Sequence, residues 1–414
     1  MKAAISCAFN ENAIWALSRY ASSHGMLTQR LVPHWHLVPD AATHLVRILP
    51  GSARLARFAA RKQGRVASSR LPEDETMSVL TEAIRIAGAR TKTPVTPILG
   101  HLTWKVEFDR RASRALDTRS VDVLIGMPGS SKRTFGRHRT PLKVFHATDT
   151  HPRARNDALF EVYGSRARSE AYPVALTERI EEELDLADVV LVPSQVVADG
   201  MIGHGVDPAK IELIPYGVDL DRFTVGLPTA PRRTDGRPRL LFVGQICLRK
   251  GVPILMEAVD DLEVEVTLAG QVFDRSVVRG LPANVTLAGV LSPVELADAY
   301  NAHDALVLPT IDDAFALVLS EAAACGLQVV TTTAAGAAEI LPRKSRVVPS
   351  GDVRALRQAL SDVTVLDDAE RTARATRYRA ASTARAGSWD TYAQTVFTAL
   401  ERRLGVRTAR AETA

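Results

Sequence analysis

Two acidic residues eight positions apart, Asp313 and Glu321, are the side chains of this chain best placed to bind a ligand. Glu321 is the only charged residue from 314 to 338, and its neighbours at helical spacing, Val318 and Cys325, are apolar. An ionised carboxylate is costly to bury without a partner, so Glu321 is expected to face a polar ligand or a cleft. The alternative is a solvated glutamate on an amphipathic helix, but the same face offers no polar neighbours.

The segment around these acids predicts a strand, a loop and a short helix. Pro309 ends the apolar run 305–308, Asp312 and Asp313 stand where helix caps are favoured, and Gly326 follows the helix. The first free N–H groups of that helix are predicted at Phe315, Ala316 and Leu317, an arrangement suited to a phosphate. The small side chain of Ala316, like that of Ala314, would let an anion come close.

A second segment, RLLFVGQICLRKG from Arg239 to Gly251, carries two adjacent cations. An apolar strand ends at Gly244, a loop presents Arg249 and Lys250, and a helix-like stretch follows. Glycine lets the backbone approach a ligand, and two fixed cations can offset the charge of a departing diphosphate. A solvated basic loop before an ordinary helix is the alternative for this segment taken alone.

Together the two segments resemble the retaining glycosyltransferases of family 4 (glycosyltransferase group 1), which have the GT-B fold. That family uses an acid, a Gly-Phe-Gly-like turn and a second glutamate eight residues after the first acid; here these are Asp313, residues 314–316 and Glu321. The resemblance implies that Glu321 binds ribose hydroxyls and that Asp313 contacts the donor sugar. It assigns donor binding to Gly244, Gln245, Arg249, Lys250, Phe315, Ala316, Leu317 and Glu321, and catalysis to His151, Asp313, Arg249 and Lys250.

The resemblance extends to residues 188–223 and to a histidine, His151, followed ten residues later by Glu161. In the family such a histidine lies at a strand end and faces the donor. The first hundred residues match weakly, so the acceptor is less defined than the donor. Both glycines of the donor turn are alanine here, Ala314 and Ala316, and an alanine at a position that needs positive φ would strain the turn.

Alternating apolar runs and helical stretches predict an α/β protein, and the resemblance implies a GT-B arrangement with two Rossmann-like parallel-sheet domains facing across a cleft. The predicted strands are 122–126, 142–145, 189–192, 240–243, 263–269, 285–288, 305–308 and 329–331. The predicted divisions are an acceptor-side domain at 1–224, a Pro- and Gly-rich linker at 225–238, a nucleotide-sugar-binding domain at 239–387, a C-terminal helix at 388–405 that returns to the first domain, and a disordered tail at 406–414.

The net charge of +5 is unevenly spread, because residues 41–72 hold seven Lys or Arg and no acid. This segment predicts either peripheral contact with an anionic membrane or a solvated basic face, and both remain open. No aromatic or recognition-helix pattern accompanies the charge, which argues against nucleic acid. The apolar stretches are too interrupted for a membrane span or a signal peptide. Three widely spaced cysteines are typical of a cytoplasmic protein. The expected location is therefore the cytoplasm, and any peripheral membrane contact is expected at the inner face.

The leading functional hypothesis is a metal-independent, retaining transfer of a sugar from a nucleotide-diphosphate donor to a hydroxyl acceptor, with no cofactor beyond the donor. The acceptor could be a glycan, a lipid-linked molecule or a small molecule. The alternative is a GT-B protein that binds a sugar nucleotide or glycan without efficient turnover, which the two alanines of the turn favour. A third hypothesis, a metal-dependent transferase that uses Asp219 and Asp221, is disfavoured. An Asp-x-Asp triplet is common by chance, and the position of Asp219 is more typical of a turn residue.

Overall fold

The computed structural model describes residues 1–8, 12–33, 71–77, 95–117, 121–139, 141–226, 236–342, 345–365, 367–385 and 387–412. All seven cations of the basic segment 41–72 lie outside these ranges, so the membrane prediction has no structural counterpart. Most of the predicted linker, residues 227–235, also lies outside them. None of the described helices is long and apolar enough to cross a membrane.

The N-terminal half folds around a parallel sheet whose described strands run in the order β3-β2-β1-β4-β5-β6-β7. Strands β1, β4 and β6 are buried along their whole length, which is why they read as continuous apolar runs. The strands are β1 (Ala3–Ser6), β2 (Leu27–Pro33), β3 (Asp74–Met77), β4 (Val123–Gly126), β5 (Leu142–His146), β6 (Val189–Val192) and β7 (Ile211–Leu213). The helices are α1 (Asn12–Ser23), α2 (Val95–Ala115), α3 (Lys132–Arg137), α4 (Pro152–Tyr163), α5 (Val174–Leu186) and α6 (Gln195–Gly203).

The C-terminal half repeats the scheme with a parallel sheet in the order β10-β9-β8-β11-β12-β13. Its strands are β8 (Arg239–Val243), β9 (Glu265–Ala269), β10 (Val285–Gly289), β11 (Ala305–Leu308), β12 (Gln328–Thr332) and β13 (Arg346–Val348). Its helices are α7 (Val252–Val259), α8 (Pro293–Ala302), α9 (Leu317–Ala324), α10 (Val353–Ser361) and α11 (Asp368–Arg385). The predicted class, two Rossmann-like parallel-sheet domains, is confirmed.

The last helix, α12 (Trp389–Glu412), packs against α1 of the N-terminal domain. Tyr20 of α1 stacks on Phe397 with ring centroids 5.7 Å apart, and Arg403 Nε donates to Glu212 Oε1 at 2.6 Å. The sequence placed the end of this helix at 405 and a disordered tail at 406–414. The structure instead continues the helix to Glu412, so the predicted boundary was short by about two turns.

Each sheet reverses its strand order at one point, between β1 and β4 and between β8 and β11. Ligands of open α/β sheets bind beyond the carboxyl ends of the strands at such reversals. The loop after β8 (residues 244–251) and the loop after β11 (residues 309–316) therefore form the expected site in the C-terminal domain. Both loops carry residues that the sequence singled out.

Candidate functional site

The loop after β8, residues 244–251, is held against the loop after β11. Gly251 has φ +71° and is the N-cap of α7, and a Cβ at this position would overlap the carbonyl oxygen of Pro309. Only glycine meets both demands without strain. The N–H of Ile311 donates to the Arg249 carbonyl at 2.8 Å, which joins the two loops beside the cations.

Arg249 and Lys250 are both half-buried and both engaged by acidic residues of the loop after β11. Lys250 Nζ forms an ion pair with the carboxylate of Asp313, and Arg249 Nη1 donates to the Asp312 carbonyl at 2.8 Å. Burial lowers the pKa of Lys250, although Asp313 counteracts it. Burial would also lower the pKa of Arg249, but the nearby charges of Asp313 and Asp312 outweigh it and the pKa lies above its usual value. Both cations are therefore fixed and poorly hydrated, as a phosphate clamp requires.

Asp313 also accepts backbone hydrogen bonds within its own turn, which the sequence did not predict. Its Oδ1 accepts the N–H of Ala316 at 2.9 Å and, more weakly, that of Phe315 at 3.4 Å. Helix α9 begins at Leu317, two residues after the predicted start, so the expected free N–H groups at Phe315 and Ala316 are already bonded to Asp313. The prediction was wrong because an aspartate can close a turn with its own side chain before a helix begins.

Glu321 lies on α9 and is neither solvated nor unpaired. The hydroxyl of Tyr300, a buried residue of α8, donates to Glu321 Oε2 at 2.9 Å. Burial raises the pKa of Glu321 to about 7, and the Tyr300 hydrogen bond keeps it from rising further. Glu321 thus sits near its titration midpoint at neutral pH with an oxygen available to a polar ligand.

The remaining predicted donor residues surround this pair of loops. Gln245 is exposed immediately after β8, and Gly244 donates its N–H to the Ala269 carbonyl at 3.0 Å. Phe315 is buried, and Leu317 is half-buried at the first position of α9. The structure therefore brings Arg249, Lys250, Asp313 and the donor turn into direct contact, while Glu321 lies about one turn into α9.

The N-terminal domain closes over the loop after β11. Thr150 Oγ1 bonds to the carboxylate of Asp312, and both residues are buried. Ser194 Oγ donates to the Ala314 carbonyl at 2.7 Å, and Tyr216 contacts Phe315 with ring centroids 5.1 Å apart. The candidate donor site is thus built by both domains.

His151 does not occupy the predicted position at a strand end. Strand β5 ends five residues earlier, and His151 caps α4, its Nδ1 accepting the Arg153 N–H at 3.3 Å. Its ring stacks on His204 with centroids 4.6 Å apart, and its Nε2 lies 3.8 Å from Glu181 Oε1. Burial, and then His204, lowers its pKa to about 4. All three neighbours belong to the N-terminal domain, and its Nε2 is buried without a hydrogen-bond partner.

The histidine at the strand end is His146, the last residue of β5, which sequence reasoning missed. Its ring lies parallel to Tyr216 at 6.0 Å, and Tyr216 in turn contacts Phe315 of the donor turn. Nε2 is 2.9 Å from the Tyr392 hydroxyl, whereas Nδ1 is buried without a hydrogen-bond partner. Burial lowers its pKa to about 4, so the ring is neutral at pH 7. His146 directly follows the predicted strand, a signal that favoured it over His151.

Over the described ranges, no group of three or more His, Cys, Asp or Glu side chains could hold a metal ion. Asp219 accepts the N–H of Arg222 at 3.1 Å through Oδ1 and lies 3.5 Å from its guanidinium through Oδ2. Asp219 thus behaves as the turn residue that the sequence favoured.

Two family models match this chain, and together they span both domains. One, described as Glycosyl transferases group 1, covers residues 237–364, and the other, described as Glycosyltransferase Family 4, covers residues 52–222. The chain belongs to the group 1, family 4 glycosyltransferases. The match to the C-terminal domain contains every residue assigned to donor binding.

Curated family relatives include two named D-inositol 3-phosphate glycosyltransferases. The protein of Xylanimonas cellulosilytica is 34% identical over 179 residues, which are 38% of this chain and 43% of the relative. That of Geodermatophilus obscurus is 32% identical over 227 residues, 49% of each chain. This chain thus matches about half the length of these relatives.

Solved structures share the GT-B fold along nearly the whole chain. Sucrose-phosphate synthase from Thermosynechococcus elongatus has a TM-score of 0.69 at 19% identity, covering 98% of this chain and all of the other. Anabaena HepE, solved in complex with UDP and glucose, has a TM-score of 0.58 at 16% identity, covering 97% of this chain and 99% of the other. At these identities the likeness establishes the fold.

The donor turn of this family member is strained at one of its two alanines. Ala316 has φ +62° and ψ +64° in the left-handed region, whereas Ala314 has a negative φ. Hydrogen bonds hold the turn in place: the N–H of Ala337 donates to the Phe315 carbonyl at 2.6 Å, and that of Gly336 to the Asp313 carbonyl at 3.1 Å. A left-handed alanine costs about 1–2 kcal/mol, so the surrounding bonds impose the turn against local preference.

Ala316→Gly is expected to stabilise the protein by about 1 kcal/mol, because it removes the left-handed penalty. Ala314→Gly is the matched control and is expected to destabilise by about 0.5–1 kcal/mol, since it only adds freedom to the unfolded chain. Urea unfolding of both variants measures the difference. Equal effects of the two substitutions would contradict the assignment of strain to Ala316.

Proposed function

We propose that this protein is a glycosyltransferase that moves a sugar from a nucleotide-diphosphate donor to a hydroxyl acceptor with retention of configuration. The observation that carries the proposal is the pair of half-buried cations, Arg249 and Lys250, beside Asp313 at the carboxyl edge of the C-terminal sheet. A diphosphate is the ligand chemistry that two fixed cations at such an edge favour. Curated relatives named as glycosyltransferases and a structural neighbour solved with UDP support it.

In the proposed reaction the bond between the sugar's anomeric carbon and the phosphate oxygen breaks while the acceptor oxygen bonds to the same face. The acceptor proton passes to an oxygen of the departing diphosphate, so no protein nucleophile and no metal is needed. Arg249 and Lys250 stabilise the charge that grows on the leaving group. Glu321 accepts hydrogen bonds from the ribose hydroxyls. Asp313 leaves its ion pair with Lys250 and contacts the donor sugar.

The second candidate is a sugar-nucleotide-binding protein with little turnover. The strained Ala316 favours it, because the turn that would hold the donor sugar is maintained against its own backbone preference. Donor hydrolysis measured without acceptor separates the two candidates. A protein that binds nucleotide tightly and hydrolyses no donor would support the second.

The proposed function predicts selective stabilisation by one nucleoside diphosphate among UDP, GDP and ADP. A ligand present at a hundredfold its dissociation constant stabilises by about 2.7 kcal/mol, which a thermal-shift assay detects. Lys250→Ala is expected to reduce the stabilisation strongly. Lys210→Ala, in the 3₁₀ turn before β7 with its Nζ bonded to the Leu184 and Asp185 carbonyls, serves as a control outside the donor loops. The proposal fails if no diphosphate raises the melting temperature, or if both variants respond like the wild type.

The role given to Glu321 predicts that donor binding weakens as pH falls. Its pKa of about 7 means that the carboxylate is ionised at pH 8 and mostly protonated at pH 6, and the protonated form loses acceptor capacity for ribose hydroxyls. The dissociation constant of UDP-glucose, whose phosphates do not titrate in this range, should rise about tenfold from pH 8 to pH 6. Isothermal titration of Glu321→Gln should give weak, pH-independent binding; an unchanged pH profile in this variant would refute the role.

The two histidines are expected to differ in their effect on transfer. His146 lies beside Tyr216, which contacts Phe315 of the donor turn, whereas His151 stacks on His204 and lies beside Glu181 of α5. His146→Gln should therefore lower the transfer rate at saturating donor by tenfold or more with little change in nucleotide affinity, since interactions made chiefly in the transition state act on kcat. His151→Gln should leave kcat within about threefold. The opposite order would restore His151 to the site.

A further inference from the structure

Glu170 is a buried carboxylate of the N-terminal domain that reaches into the phosphate loop of the C-terminal domain. It follows the 3₁₀ turn Gly164–Ser169 and is 8% exposed. Its two oxygens accept two consecutive backbone N–H groups, that of Leu248 at 2.7 Å and that of Arg249 at 2.9 Å. Two consecutive N–H groups that converge on one carboxylate form a small anion-binding concavity, and here the protein fills it itself.

Hydrogen bonds from residues of both domains hold Arg249 in place. Its N–H is held by Glu170, its carbonyl accepts the Ile311 N–H at 2.8 Å, and its guanidinium donates to the Asp312 carbonyl at 2.8 Å. Among these bonds only the one to Glu170 crosses to the other domain. The direction in which the Arg249 side chain leaves the backbone therefore depends on the position of the N-terminal domain.

Glu170 is itself held in place by its own domain. Its N–H donates to the Ala167 carbonyl at 2.9 Å, and Arg155 Nη2 donates to the Glu170 carbonyl at 3.2 Å. Arg155 also lies 4.4 Å from the Tyr172 ring centroid, so its guanidinium is fixed. Because Glu170 is held rigidly by its own domain, the 248–249 peptide that it binds is positioned relative to the N-terminal domain.

We propose that Glu170 is a positioning residue that orients Arg249 toward the donor diphosphate when the two domains are closed. It touches neither the donor nor the reacting atoms and acts through the 248–249 peptide. The inference rests on the proposed function, because it needs Arg249 to bind the diphosphate. Its consequence is that the charge clamp is complete only in the closed arrangement, which links donor binding to domain closure.

A double-mutant cycle on UDP affinity tests this, with UDP standing for the leaving group. Arg249→Ala should weaken UDP binding by tenfold or more. Glu170→Gln should weaken it by about fivefold, because the two N–H groups bond to different oxygens and the amide replaces one of these oxygens with an NH₂ donor. In the Arg249→Ala background, Glu170→Gln should have no further effect, since a residue that acts through Arg249 loses its influence with it. Isothermal titration of the 414-residue chain measures all four dissociation constants.

Two control variants separate positioning from other effects. Glu161→Gln removes an exposed charge from α4 and should leave UDP affinity within twofold of the wild type. Glu339→Gln weakens a different pair of interdomain bonds, from the N–H groups of Gln195 and Val196 at 3.2 Å. Whatever its effect, it should persist in the Arg249→Ala background, because it does not act through Arg249.

Each outcome has one reading. Additive effects of Glu170→Gln and Arg249→Ala, or no effect of Glu170→Gln while Arg249→Ala weakens binding, overturn the inference and leave the proposed function standing. An Arg249→Ala variant that binds UDP like the wild type, or a wild-type protein that binds none of UDP, GDP and ADP, overturns both. The melting temperature of Glu170→Gln should lie within a few degrees of the wild-type value. A much lower melting temperature would assign the loss of UDP affinity to a folding defect and would overturn the positioning role.

Discussion

The buried charge between the two domains is the constraint on which the rest of this structure depends. Three cations, Arg155, Arg249 and Lys250, and three carboxylates, Glu170, Asp312 and Asp313, meet where the strand ends of the two sheets face each other. Taking such groups out of water costs several kcal/mol each unless partners are placed well. The loops that carry them are accordingly tied by backbone bonds, by glycine at 251 and by contacts that cross between domains.

This balance also explains why the donor turn keeps a left-handed alanine. Asp313 has to pair with Lys250 while its other oxygen accepts the Ala316 N–H, and both contacts together fix the turn. Burial alone would raise the pKa of Asp313, but Lys250 and Arg249 lower it below its usual value, so the carboxylate stays charged. The ion pair and the turn therefore stabilise each other, and the strain at Ala316 is small beside the cost of an unpaired buried charge.

Sequence reasoning located the sheets better than the side chains of the site. Strand β11 was predicted to the residue and β8 within one, because buried parallel strands are continuous apolar runs bounded by glycine or proline. Strands β1, β2, β3, β7 and β13 are not among the predicted strands. Strands β7 and β13 have three residues each, and so short a strand leaves no periodic signal. The start of α9 was misplaced because either aspartate before it fits a cap, and only the backbone geometry shows that Asp313 closes a turn of its own.

The two histidines show where local signals compete with a resemblance. Pro152 at the first position of α4 marks His151 as a helix cap, yet the spacing to Glu161 matched the family pattern and prevailed. Which of two nearby histidines faces the cleft depends on where β5 stops and on Tyr216 and Tyr392, residues more than sixty positions away. Such non-local packing cannot be predicted from one sequence. The start of a helix at Pro152, with His151 as its cap, could have been predicted.

The cations and carboxylates of this site balance each other, so a diphosphate that enters it would have to rearrange them. An entering diphosphate adds negative charge next to Asp312 and Asp313, and Lys250 cannot serve both Asp313 and a phosphate at full strength. Burial raises the pKa of Asp312 above its usual value against the opposing charges of Arg155 and Arg249, and its Oδ2 is buried without a hydrogen-bond partner. In the proposed function Lys250 therefore turns from Asp313 to the phosphate, which leaves Asp313 free for the sugar.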